Sequence, residues 1–93
     1  MKLTLTAQAL QDGLAAREWY GEFDAGTAGP FSNALDRALA LLLEYPHVGP
    51  PLDDVYRSLA VKDYPYRVVY AVDGETIRVA AIAHTSRKPR YWE

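Results

Sequence analysis

The stretch Tyr66-Arg67-Val68-Val69-Tyr70-Ala71-Val72-Asp73-Gly74-Glu75-Thr76-Ile77-Arg78-Val79-Ala80-Ala81-Ile82-Ala83-His84 decides the architecture. Two runs rich in β-branched and aromatic residues flank an Asp-Gly pair, a strong hairpin signal, so strands are predicted over 66–72 and 76–84. A two-residue type I′ turn at Asp73-Gly74 sets the register. It places Val72 opposite Glu75, Tyr70 opposite Ile77, Val69 opposite Arg78, Val68 opposite Val79 and Arg67 opposite Ala80. Alternation then sorts the side chains into two faces. Tyr66, Val68, Tyr70 and Val72 join Ile77, Val79, Ala81 and Ala83 on an apolar face that helices are expected to cover. Arg67, Val69 and Ala71 join Arg78, Ala80, Ile82 and His84 on the other, an uncovered surface carrying two guanidiniums and an imidazole.

Working outward, Val55 to Val61 reads as a third strand by the same period of two. Before it, His47-Val48-Gly49-Pro50-Pro51 is a stiff connector whose prolines argue against regular structure until about Asp54. Phe31, Leu35, Ala38, Leu42 and Tyr45 recur at helical spacing, a seam that packing onto a first helix would bury, with Gly29-Pro30 as cap and first position and Pro46 as stop. Gly26-Thr27-Ala28-Gly29 reads as a turn. In the first helix, Ala7, Leu10 and Leu14 form one stripe and Ala9, Ala16, Tyr20 and Phe23 another on roughly the opposite side, so both sides are expected to be buried. Gly13 lies within it and would permit close backbone approach. Thr6 is the expected N-cap, and Lys2 to Leu5, with alternating Leu3 and Leu5, a short opening strand.

The chain has 93 residues, 49% hydrophobic and 24% charged, which suits one domain over 1–93. It has no cysteine and only two histidines, His47 and His84, far apart in sequence, so disulfides and thiolate-rich metal sites are excluded and no metal or other cofactor is expected. No apolar run approaches a membrane span, and the opening residues lack the apolar core of a leader, so a soluble cytoplasmic protein with no membrane partner is expected. The net charge of −2 conceals an asymmetry. Residues 1–55 carry three Lys or Arg against eight Asp or Glu, and residues 56–93 carry seven against four. A globally basic nucleic-acid binder is not indicated, whereas a basic C-terminal surface remains available to an anionic partner.

The order strand, helix, helix, three antiparallel strands, the aromatic-Pro-Tyr-Arg start Tyr64-Pro65-Tyr66-Arg67, and the ending His84-Thr85-Ser86-Arg87-Lys88-Pro89-Arg90-Tyr91-Trp92 resemble the RelE/ParE family of bacterial type II toxin-antitoxin toxins. Trp19-Tyr20 and Phe31 resemble the family's N-terminal half, so the resemblance spans essentially the whole chain. It implies an α+β fold in which a two-helix hairpin packs on a small antiparallel sheet preceded by an N-terminal strand. It also implies a growth-inhibiting toxin, of the kind linked to plasmid stabilisation, that a cognate antitoxin wraps and silences. ParE-like members inhibit DNA gyrase, and RelE-like members cut mRNA in the ribosome. For the second branch the resemblance places Arg67 and Arg87 at the family's arginine positions and Tyr91 near its C-terminal tyrosine.

The chemistry of a metal-independent endoribonuclease gives those residues roles: a 2′-hydroxyl attacking the adjacent phosphate needs positive charge where the phosphorane develops, a base and a proton donor. Arg67 and Arg87 would supply charge, and His84 or Tyr91 would move the proton. Each has a plainer reading beside it. Arg67 would pair with Asp63 or Glu75, His84 would be a hydrogen-bonded strand-end histidine, and Tyr91 and Trp92 would anchor the C-terminus on the sheet. The lysines common near the start of the sheet in ribosome-dependent members are replaced by Leu52-Asp53-Asp54-Val55-Tyr56-Arg57, and the chain is acidic. Phosphate neutralisation supplies most nucleic-acid affinity, so the balance favours a protein target such as gyrase. A ribosome/mRNA target and a degenerate, non-toxic family member are the alternatives. Under all of them the antitoxin is expected on an apolar groove beside the helix pair and on an exposed sheet edge.

Overall fold

The computed structural model describes residues 1–23 and 29–93. Its elements are β1 (Lys2–Leu5), α1 (Ala7–Trp19), α2 (Pro30–Glu44), β2 (Arg57–Ala60), β3 (Tyr66–Asp73) and β4 (Thr76–His84). The four strands form one sheet in the order β1-β4-β3-β2. β2, β3 and β4 are antiparallel, and β1 joins the outer edge of β4 in parallel, so the sheet is mixed. Apart from Gly29, the turn expected over 26–29 lies outside the described residues.

The hairpin has the expected strands but not the expected register. Its loop is Gly74-Glu75, since Asp73 already pairs with Thr76. Gly74 has φ +59° and Glu75 is not in the positive-φ region, as a type II′ turn requires and a type I′ turn forbids. Moving the turn by one residue moves each pairing by two, so Tyr70 faces Val79 and Val72 faces Ile77. An even shift leaves the faces intact. Between Val69–Ala81 and Tyr70–Val79, however, Ala80 is left over as a bulge. That odd residue reverses the rest of β4: Ile82 pairs with Val68 and His84 with Tyr66 on the helix side, while Ala81 and Ala83 pair with Val69 and Arg67 on the other. Ile82 and His84 therefore leave the face predicted for them.

The core lies between the helices and the inner face of the sheet, built from Ala9 and Ala16 of α1, Phe31, Leu35, Ala38 and Leu42 of α2, and Val68, Tyr70, Ile77, Val79 and Ile82. Phe31 stacks on Tyr20 at 5.1 Å and meets Tyr64 and Tyr66 edge-on at 5.2 and 5.3 Å, geometries that add to area burial. The α2 seam ends earlier than its period suggests, because Tyr45 is the C-cap and is exposed. Only one stripe of α1 is buried. Ala9, Asp12 and Ala16 face inward, whereas Leu10 and Leu14 are each 54% exposed and Phe23 is 73% exposed. A Cβ on Gly13 would meet nothing within 4 Å, so that glycine permits no close approach.

Local bonds explain the boundaries. Thr6 caps α1 by accepting from Ala9 N–H at 3.1 Å. Gly29 brings no side chain to cap α2, and the Glu22 carboxylate does so from the preceding segment, accepting from Phe31 N–H at 2.9 Å and Ser32 N–H at 3.0 Å. β2 is shorter than the predicted 55–61 because Asp53 Oδ1 accepts from Val55 and Tyr56 N–H, both at 2.7 Å, and holds the segment before Arg57 in a turn.

Candidate functional site

β1 ends opposite Val79, and beyond that point α1 meets the outer edge of β4 with side chains. Thr6 Oγ1 donates to Ala80 O at 3.0 Å, and Asp12 Oδ2 accepts from Ile82 N–H at 3.1 Å. Strand groups around the bulge are thus satisfied by two polar residues of the helix and its cap, which a buried backbone demands. Asp12 is only 8% exposed, and it also accepts from Gln8 Nε2 at 2.9 Å and from the Tyr91 hydroxyl at 2.7 Å. One carboxylate therefore ties α1, the bulged strand and the C-terminal tail together.

His84, Arg87 and Tyr91 gather at this junction. The Arg87 guanidinium lies 3.9 Å from the centre of the Tyr91 ring, a cation–π contact. His84 is edge-on to Tyr66 at 5.1 Å. Its Nδ1 accepts from Ser86 N–H at 3.0 Å, so in the neutral ring the proton is assigned to Nε2. Burial, then the bond to Asp12, raises the Tyr91 phenol above its ordinary range, and burial does the same to Tyr66. A cleft of about 350 Å³ opens here, bordered by Asp12, Trp19, Tyr66, His84, Ser86 and Arg87. Trp19, 79% exposed, forms its outer wall.

Arg67 stands on the opposite face. Its Nε donates to Ser58 Oγ and its Nη2 to Ser58 O at 3.0 Å. The pairing weighed for it with Asp63 or Glu75 is not formed, and among the described residues Arg67 has no carboxylate partner. This face is not bare. The 52–56 segment and the tail cross it, Trp92 packs edge-on against Tyr56 at 5.8 Å, and Arg90 is ion-paired to Asp53 and, at 2.9 Å, to Glu93. The Tyr56 N–H first, and Arg90 second, hold the Asp53 carboxyl at about 2. Between the tail and the sheet lies a second cavity of about 260 Å³ that Arg67 lines and His84 borders.

Three of the four residues singled out for RNA cleavage thus come together, and the fourth points into a different cavity. Within the group of three, the phenol of Tyr91 spends its proton on Asp12 and is no base, and the lone pair of His84 Nδ1 is taken by Ser86. Charge and an imidazole N–H are what the cleft offers. Among the described residues no group of three or more His, Cys, Asp and Glu side chains is placed to hold a metal ion, and no helix is long and apolar enough to cross a membrane. Asp12 escaped the sequence reading although its signal was present: with Ala9 and Ala16 it falls at i, i+3 and i+7, a carboxylate within the small-residue stripe of α1. Ser58 gave no comparable sign.

Residues 3–89 match the family model described as the ParE toxin of type II toxin-antitoxin system, parDE. In three dimensions the chain is similar to one from the chromosomal ParDE TA system from P. aeruginosa, with a TM-score of 0.71 over 90% of this chain and 95% of that one. Identity in that pair is 22%, so the likeness speaks to the fold. No curated protein sequence matches this chain.

Proposed function

The chain belongs to the ParE toxin family of type II toxin-antitoxin systems, and on that premise we propose that it is a growth inhibitor acting by binding a protein target such as DNA gyrase, silenced by a cognate antitoxin. The observation that carries the choice of target is the separation of Arg67 from the Arg87–Tyr91 pair, with His84 bordering both cavities and the Tyr91 proton committed to Asp12. An endoribonuclease needs its cations and its base around one phosphate. Purified toxin at saturating concentration should inhibit supercoiling by gyrase and leave mRNA intact in a translation extract. Codon-located cuts that vanish in Arg67→Ala, with supercoiling untouched, would reverse the assignment.

For the antitoxin, the exposed stripe of α1 is the contact we favour. Leu10 and Leu14 line, with Leu5 and Leu39, an apolar groove of about 190 Å³ between α1 and α2, and Leu14 shares a neighbouring hollow with the exposed Phe23. Contiguous apolar surface on a small protein marks an interaction site, and an amphipathic helix laid in such a groove would bury it. Co-expression with the adjacent short reading frame should give a stable complex that Leu10→Asp/Leu14→Asp weakens. A complex of undiminished affinity would move the contact elsewhere.

A further inference from the structure

Among the described residues Arg67 is a cation whose neighbours leave its setting incomplete. A guanidinium carries five N–H donors and presents two edges to an anion, one through Nε and Nη2 and one through Nη1 and Nη2. Ser58 occupies the first edge with its hydroxyl and its carbonyl, and Ser58 is itself buried in β2. The group is therefore locked in orientation with its Nη1–Nη2 fork unclaimed. It is partly buried and has no carboxylate partner among the described residues, a costly condition for a charge unless something else supplies the counter-ion.

The cavity that Arg67 lines indicates what would supply it. Leu52, Val69, Ala83, Pro89 and Trp92 give it apolar walls. Arg90, at its rim, is already neutralised by Asp53 and Glu93. One open fork in a chamber that is otherwise mostly apolar, with His84 and Thr85 at its edge, matches one negative charge on an apolar body, and it mismatches a phosphodiester chain, which needs several cations and a wet groove. At about 260 Å³ the chamber is smaller than the usual drug-sized pocket and suits a group the size of one large side chain. We propose that the Arg67 cavity binds a carboxylate carried on a branched aliphatic or aromatic stem, the carboxylate engaging the Nη1–Nη2 fork and the stem lying against Val69 and Trp92. Such a group occurs as a free small carboxylic acid or as the C-terminal residue of a polypeptide. The assignment does not depend on the cellular target of the toxin.

The test is an NMR titration of the purified full-length chain with 4-methylpentanoate, its amide, inorganic phosphate, and N-acetyl-Ala-Leu as free acid and as amide. Both free acids should give saturable shifts at the amides of Ser58, Arg67 and Ala83, and both amides should bind at least about tenfold more weakly, the loss of a charge-assisted pair. Arg67→Gln should abolish the difference between acid and amide. Ala83→Leu, which fills the chamber from the sheet and leaves the Arg67–Ser58 bonds alone, should abolish binding, and it serves if Arg67→Gln does not fold. Tighter binding of the peptide acid than of 4-methylpentanoate assigns the site to a polypeptide terminus, and equal binding assigns it to a small acid. Equal affinity for acid and amide, stronger shifts with phosphate, or no saturable shift would overturn the proposal.

Discussion

Replacing Asp12 by alanine should be among the most damaging single changes in this protein, and its cost can be worked from three bonds. The buried Ile82 N–H loses its acceptor, and a buried donor left without a partner costs about 1–3 kcal/mol. The partly buried Tyr91 hydroxyl loses a bond to a charged acceptor, about 1 kcal/mol once water replaces part of it. Gln8 is free to turn to solvent and adds little. The total, about 3 kcal/mol, is a large share of the 5–15 kcal/mol typical of a domain and corresponds to a fall in Tm of about 12–24 °C for a chain of this size. Urea unfolding of Asp12→Ala, Tyr91→Phe and the double variant supplies the check. Tyr91→Phe alone should cost about 1 kcal/mol, and the double variant should fall short of additivity by about that amount, because the two residues share one bond. A loss below about 1 kcal/mol for Asp12→Ala, or additivity within experimental error, would refute the role of Asp12 in tying α1, the bulged strand and the tail together.

Three further outcomes follow from local geometry. Gly13→Ala should raise stability by about 1 kcal/mol in thermal or urea unfolding, since the position is helical and a Cβ there meets nothing within 4 Å. Gly49→Ala should lower it by about 1–3 kcal/mol, because the added Cβ would lie 2.8 Å from the Tyr70 hydroxyl that accepts from Gly49 N–H and 3.1 Å from Ser58 backbone. Asp53, lowered from 3.8 to about 2, contributes stability that is present in full above about pH 5 and is lost as pH falls through 4 toward 2. A stability–pH curve for Asp53→Asn should therefore be flatter than wild type in that window and unchanged in slope near neutrality.

Much of the fold was legible because the signals were local. Thr6, Gly29-Pro30 and Pro46 bound their helices as capping chemistry requires, and both hairpin strands follow from their composition. What was not legible depends on partners distant in sequence. The apolar stripe Leu10–Leu14 has the period of a buried face, but none of the described residues covers it, and periodicity cannot tell a core from an interface. The capping of α2 by Glu22 joins residues nine and ten positions apart across the interhelical segment.

The bulge at Ala80 is the case where a single residue decides which candidate site residues share a face. A register inferred from Asp-Gly alone keeps β4 regular, which places His84 on the same face of the sheet as Arg67. One extra residue in the strand sends His84 and Ile82 to the helix side. The bulge is stable there because Thr6 and Asp12 satisfy the strand groups on either side of Ala81, at 3.0 and 3.1 Å. The choice between one shared site and two separate cavities therefore rests on a threonine and an aspartate seventy or more residues away in sequence. It also couples the two halves of the molecule: the carboxylate that holds the bulge also holds Tyr91, and through its ring the guanidinium of Arg87. Loosening Asp12 should accordingly disturb the cleft of Arg87 and slacken the tail wall of the Arg67 cavity, while the Arg67 guanidinium keeps the orientation that Ser58 gives it.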